Sequence, residues 1–243
     1  MPDLYIPAHI HDSVSPHGGS VLLNAHSGQW YALNSTAHTL WQEWQRTGDF
    51  DSAVDAMAHR YPRERRTQVR SDAEELAAGL AARGLVVSGE PGERPGPGEW
   101  PGPGERAEKF PVARTAPRRP SHRGLPQLAF AIALLLLRLP FRLTVALVGA
   151  RQRWCRAAAT EEQALWAVIA VEAVARRFPG RAACLELSLS AVVAMALLGR
   201  RLDWCIGTVD DPYRFHAWAE VDELPVTHPS DSESALFRRV LSI

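Results

Sequence analysis

A proline–glycine stretch divides this chain before any other feature is weighed. Residues 95–106 read PGPGEW and then PGPGER, a tandem six-residue repeat inside a longer segment, 89–124, that ends in an arginine-rich run. Proline donates no backbone hydrogen bond, glycine is costly to order, and no apolar residue recurs there at a helix or strand period. The segment cannot build a core and is expected to be an extended linker. Its basic tail, which includes Lys109, Arg118 and Arg119, reads as a solvated tether rather than a site for an acidic partner. Segments 1–88 and 125–243 remain, each long enough for a domain. A hydrophobic content of 46% over 243 residues supplies two cores, and a formal net charge of zero gives no global pull toward nucleic acid or an anionic membrane.

The first segment opens with strand-like runs. Leu4–Val14 is one, Ser20–Leu23 follows a Gly18-Gly19 turn, and Gln29–Leu33 follows a second turn. The period then changes to helical. Asn34-Ser35-Thr36 is a start signal, Leu40, Trp41 and Trp44 share a face, and Gly48 is a stop. Two further helices are predicted over 51–61 and 67–83, before Leu85-Val86-Val87 closes the segment. The second segment reads as helices over 128–139, 141–150, 160–177 and about 183–198, then strands over 202–207, 215–221 and 224–228. The fold class is therefore α+β: three strands with three helices, then helices followed by a small antiparallel sheet. The apolar run Leu128–Leu137 is too short to span a bilayer and reads as a buried helix, with membrane contact the lesser alternative.

Three cysteines, Cys155, Cys184 and Cys205, do not make a disulfide framework and suit a reducing, cytoplasmic setting; the N-terminus carries no secretory pattern. Cys184 falls at the first turn of its helix, where exposed N–H groups and the helix dipole favour negative charge. The thiolate is the attacking form, so the position makes Cys184 a candidate nucleophile. His216, in the strand FHAWAEV, is the residue type that activates a thiol. Cys205 reads as a core residue beside Trp204, and Cys155 lies in an arginine-rich run without a motif. Cys184, His216 and His228 could in principle hold zinc, but they lack clustered ligand spacing; His9, His11 and His17 read as strand and turn residues, so no metal and no cofactor is expected.

A helix-start cysteine followed about thirty residues later by a strand histidine resembles the papain-like and transglutaminase-like fold. The likeness extends to Cys184-Leu185, Ser188, the helix ending in LLGRR at 197–201 and His216-Ala-Trp218. On these residues, 125–243 resembles the transglutaminase-like leader peptidase of lasso peptide biosynthesis, the B protein. Tyr31-Ala-Leu-Asn-Ser-Thr36, Leu40-Trp41 and Leu80 to Val86 make residues 1–88 similar to the PqqD-like, winged-helix-type domain that holds leader peptides. The resemblance implies a cytoplasmic cysteine protease that removes a precursor's leader and passes the core peptide to an asparagine synthetase-like cyclase. It also implies that the leader adds beside the third strand, at Gln29, Trp30, Tyr31, Ala32 and Leu33, and meets the third helix at Val69, Leu76 and Leu80.

The resemblance fails at one position. The resembled peptidases carry a catalytic Asp twelve residues after the His; here that position is His228. A hairpin turn centred on Asp222 would set residue 216 opposite 228, with side chains about 5 Å apart. Asp222 itself would lie about 20 Å from residue 216. The third catalytic position is thus open between His228 and Asp231. An imidazole stabilises an imidazolium less well than a carboxylate does. Two alternatives to hydrolysis therefore remain: a catalytically weak escort that only binds the leader, and a thiol-dependent amide transferase.

Overall fold

The computed structural model describes residues 4–15, 18–88, 124–155, 157–209, 214–226 and 237–243. His17, His228, Asp231 and nearly all of the 89–124 linker lie outside the described residues. The chain forms two compact units, one ending at Gly102 and the other beginning at Pro103, a division inside the segment read as a linker.

The first unit contains β1 (Leu4–Tyr5), β2 (Ile10–Val14), β3 (Ser20–Asn24) and β4 (Gln29–Leu33). The single strand expected over 4–14 is two, because Pro7–His9 turn the chain: the Ile10 N–H donates to the Pro7 carbonyl at 3.0 Å. The order β2-β3-β4 is antiparallel, with β3 buried along its whole length and β4 at the edge. Helices α1 (Ser35–Thr47), α2 (Phe50–Ala58) and α3 (Arg66–Ala82) follow, and β5 (Val87–Ser88) returns to pair with β1. Local chemistry sets the helix ends. Asn34 Oδ1 accepts the Ala37 N–H at 2.9 Å, and Gly48 closes α1 at φ 71°, which a side chain would oppose. Trp41, Trp44 and Phe50 then meet in the core with ring centroids 6.3 and 4.7 Å apart, against Leu22, Leu33, Leu80 and Leu85.

The second unit begins with α4 (Leu125–Leu136) and α5 (Phe141–Arg153), followed by β6 (Ala157–Ala158), α6 (Glu161–Ala175) and α7 (Cys184–Leu197). The Thr160/Gln163 capping box is formed in both directions, at 3.3 and 3.1 Å. From Ser188 to Ala196 every residue of helix α7 is buried, since α4, α6 and the sheet enclose it. The chain leaves α7 through β7 (Arg200–Arg201), which pairs with β6, into β8 (Asp203–Val209). Strands β9 (Arg214–Val221), β10 (Leu224–Pro225) and β11 (Arg238–Ser242) complete an antiparallel sheet of order β10-β9-β8-β11.

Two expectations are corrected here. Leu128–Leu137 is not a helix buried on all sides: Ala129, Phe130 and Ala133 face inward, while Leu128 and Leu135 are exposed. The β9–β10 register also differs from the expected one. Asp222 (φ 49°) and Glu223 (φ 64°) form a two-residue loop, so Val221 pairs with Leu224 and Glu220 with Pro225. The turn is centred between 222 and 223, one half-step beyond Asp222. A one-residue slip exchanges the faces of a strand, so the pairing that set residue 216 opposite 228 no longer holds.

Candidate active site

Cys184 is the first residue of α7 and is half-buried. Ala183, at the N-cap, has no side-chain oxygen to offer the first-turn N–H groups, and the Glu186 carboxylate turns back to accept the Ala183 N–H at 2.9 Å. One turn along, Ser188 Oγ accepts the indole N–H of buried Trp204 at 3.0 Å. That bond fixes the level of α7 against β8. Ser188→Ala leaves a buried indole donor without its acceptor. It should lower the stability of this unit by about 1–3 kcal/mol in urea titrations followed by fluorescence.

His216 lies near the start of β9, half-buried and paired with Gly207 of β8. Alternation along the strand puts His216, Trp218 and Glu220 on one face. The His216 ring stacks on Trp218, with centroids 5.9 Å apart and planes 13° apart, and meets Phe237 at 4.8 Å. Trp218 is held in turn: its Nε1 donates to Glu220 Oε1 at 2.7 Å, and Glu220 Oε2 accepts from Arg239 at 2.6 Å. A buried carboxylate, a guanidinium and two aromatic rings thus orient the imidazole. Sequence reasoning missed Phe237, Glu220 and Arg239. The first and last come from the β11 side of the sheet, which that reading did not include.

The rival thiols lie elsewhere. Cys205 is fully buried, and its Sγ donates to Ser242 Oγ at 3.4 Å. Burial, then the nearby Glu220 carboxylate, pushes that thiol far above its ordinary range, so it is not a ready nucleophile. This agrees with its reading as a core residue. Cys155 Sγ donates to the Arg151 carbonyl at 3.5 Å, at the end of α5. His9 is stacked face to face on His26 at 3.7 Å. Burial lowers the pKa of both His9 and His11. Among the described residues no three His, Cys, Asp or Glu side chains gather as metal ligands would.

In the first unit β4 is an edge strand. Leu33 is buried and Tyr31 packs against the core, so this pair faces the helices, while Trp30 and Ala32 lie on the other face. Val69 and Leu76 are half-buried and line a cleft of about 610 Å³ with Leu40, Met57 and Tyr61. The cleft begins at Asn34, directly after β4. Leu80, at 5% exposure, is a core residue with almost no surface to present.

Residues 126–242 match the family model of the transglutaminase-like superfamily, and residues 19–86 match that of coenzyme PQQ synthesis protein D, PqqD. A PqqD domain and a transglutaminase-like core share this chain. No curated protein and no solved structure matches it. The transglutaminase-like core belongs to a class that is typically a cysteine hydrolase or transferase, which agrees with a thiol at the start of α7 and an imidazole on β9. The PqqD domain implies binding of a peptide, and its edge strand β4 beside a cleft lined by Leu40, Val69 and Leu76 is suited to that task. No helix among the described residues is long and apolar enough to cross a membrane.

Proposed function

We propose that this chain is a leader peptidase of a ribosomally made, lasso-type precursor. Residues 1–88 dock the leader, 89–124 tether it and 125–243 cut it. The leader adds to β4 along Gln29–Leu33 and fills the cleft at Val69 and Leu76. Tethering keeps the scissile bond at high local concentration near the second domain. His216 takes the proton of Cys184, and the thiolate attacks the carbonyl of the leader's last residue. The core amine leaves with the proton from His216, and water then releases the leader from its thioester. The freed core peptide goes to an asparagine synthetase-like cyclase.

One observation carries this reading: the contact between Ser188 and Trp204 sets the level of α7 against the sheet. From there, one helical turn toward Cys184 is about 6 Å, the rise of about two strand residues. The chain passes from α7 into β8 through only residues 198–202, so that turn runs toward the far end of β8. Two residues beyond Trp204 is Ile206, paired with Ala217, the neighbour of His216. This register supports the proposed pairing of Cys184 with His216. The third catalytic residue is sought between His228 and Asp231, both outside the described residues.

Incubating the protein with a precursor peptide encoded in its gene neighbourhood should yield leader and core by mass spectrometry. Leu76→Arg, which puts a charge in the cleft, should raise KM about tenfold and leave kcat nearly unchanged, as loss of uniform binding does. Capture of the leader without cleavage would reassign the chain as an escort. A product with a new amine joined to the leader would make it an amide transferase.

A further inference from the structure

The helices α4 and α5 carry apolar side chains that the fold leaves outside. On α4 these are Leu128 and Leu135, spaced by seven residues, with Leu135 at 61% exposure. On α5 they are Leu143 and Leu147, spaced by four, the latter at 50%. Trp154 ends that stripe at 80% exposure. On each helix this spacing is an apolar stripe turned outward.

The stretch of sequence that carries these helices has charges of one sign. From Lys109 to Thr160 the sequence holds ten basic residues and not one Asp or Glu, in a chain whose net charge is zero. Arg138 and Arg142 bracket the turn between the helices, and Arg153 precedes Trp154; all three are exposed. Arg151 is committed to the fold, donating to the Ala196 carbonyl at 2.6 Å.

We infer that α4 and α5 form a docking face for the surface of an anionic lipid bilayer. Leucines and a tryptophan enter the boundary between headgroups and acyl chains, and the arginines reach the phosphates. Helix α4, at 12 residues, is about 18 Å long, short of the roughly 30 Å of a hydrocarbon core, so it lies on the membrane and does not cross it. A protein partner suits the face less well. The apolar side chains of the face are mostly leucine, which protein hot spots disfavour, and its exposed Arg138, Arg142 and Arg153 are all positive, which suits a uniformly anionic surface. The inference does not depend on the proposed peptidase activity.

The test is flotation of the full-length protein with vesicles of phosphatidylcholine alone and of phosphatidylcholine mixed with phosphatidylglycerol. Binding to the anionic vesicles should exceed binding to the neutral ones by about tenfold or more, and fall as salt is raised. Leu143→Gln with Leu147→Gln should reduce it by about tenfold while the thermal melt is unchanged. Trp154→Ala, at an exposed helix end, gives an independent loss. Three results would overturn the inference: no preference for anionic vesicles, full binding by both variants, or a soluble protein held through the same leucines by a chain that ignores vesicles.

Discussion

Cys184→Ala should abolish cleavage while leaving leader binding and the thermal melt intact. In the proposed mechanism the thiol forms the acyl-enzyme, and alanine offers no substitute, so the loss is expected to be on the order of 10⁴-fold or more. The position is half-buried at the start of a helix whose apolar body lies further along, so the substitution opens no core cavity. His216→Ala should cost about 10²–10⁴-fold, the range for losing a general base. The decisive measurement is alkylation at each cysteine by peptide mapping. Iodoacetamide should label Cys184 ahead of Cys155 and leave Cys205 untouched, since burial holds that thiol protonated. In His216→Ala the labelling of Cys184 should slow. Cleavage that survives in Cys184→Ala removes the covalent mechanism. Labelling of Cys184 that ignores His216 separates the two residues and leaves the thiol without its base.

What the sequence made legible follows where local chemistry decides structure. Strand β4 and helix α1 fall where Asn34 and Gly48 predict, because a cap and a left-handed C-terminal glycine are chosen by near neighbours. The helix opening at Cys184 and the Thr160 capping box are legible for the same reason. The β9–β10 register was not. Asp222-Glu223 takes a conformation with both φ positive that usually announces itself with Asn-Gly or Asp-Gly, and the missing glycine hid the two-residue loop. Strand β11 escaped because Arg238–Ser242 pairs with β8, some thirty residues earlier, and nothing local signals that partner. With it escaped Phe237 and Arg239, which sit on either side of the His216–Trp218–Glu220 row. The exposed side of α4 was hard to read for a different reason: between Gln127 and Arg138 every residue is apolar, so little marks which face is left out.

Gly207 is the second position where one atom should have a large effect. It sits in β8 directly opposite His216, and its φ is not in the left-handed range, so its role is one of space. A Cβ there would lie 2.0 Å from the Arg238 carbonyl oxygen and 2.6 Å from Cη2 of Trp218. Neither neighbour can yield cheaply. The carbonyl is backbone in the paired strand β11, and the indole is buried with its N–H committed to Glu220. Gly207→Ala therefore has to push β11 off β8 or turn Trp218 away from His216. Overpacking of a tight core costs about 1–3 kcal/mol, and a backbone clash belongs at or beyond the upper end. Gly207→Val should leave the second unit unfolded in urea concentrations at which the first unit persists. Gly149→Ala makes the contrast within the same unit: its Cβ would meet only a terminal methyl of Ile243, at 3.3 Å, and alanine's helix propensity offsets the contact. That variant should stay within about 1 kcal/mol of wild type. Should Gly207→Ala melt and cleave like the parent, β11 does not sit over β8 as described, and the stack that orients His216 loses its support.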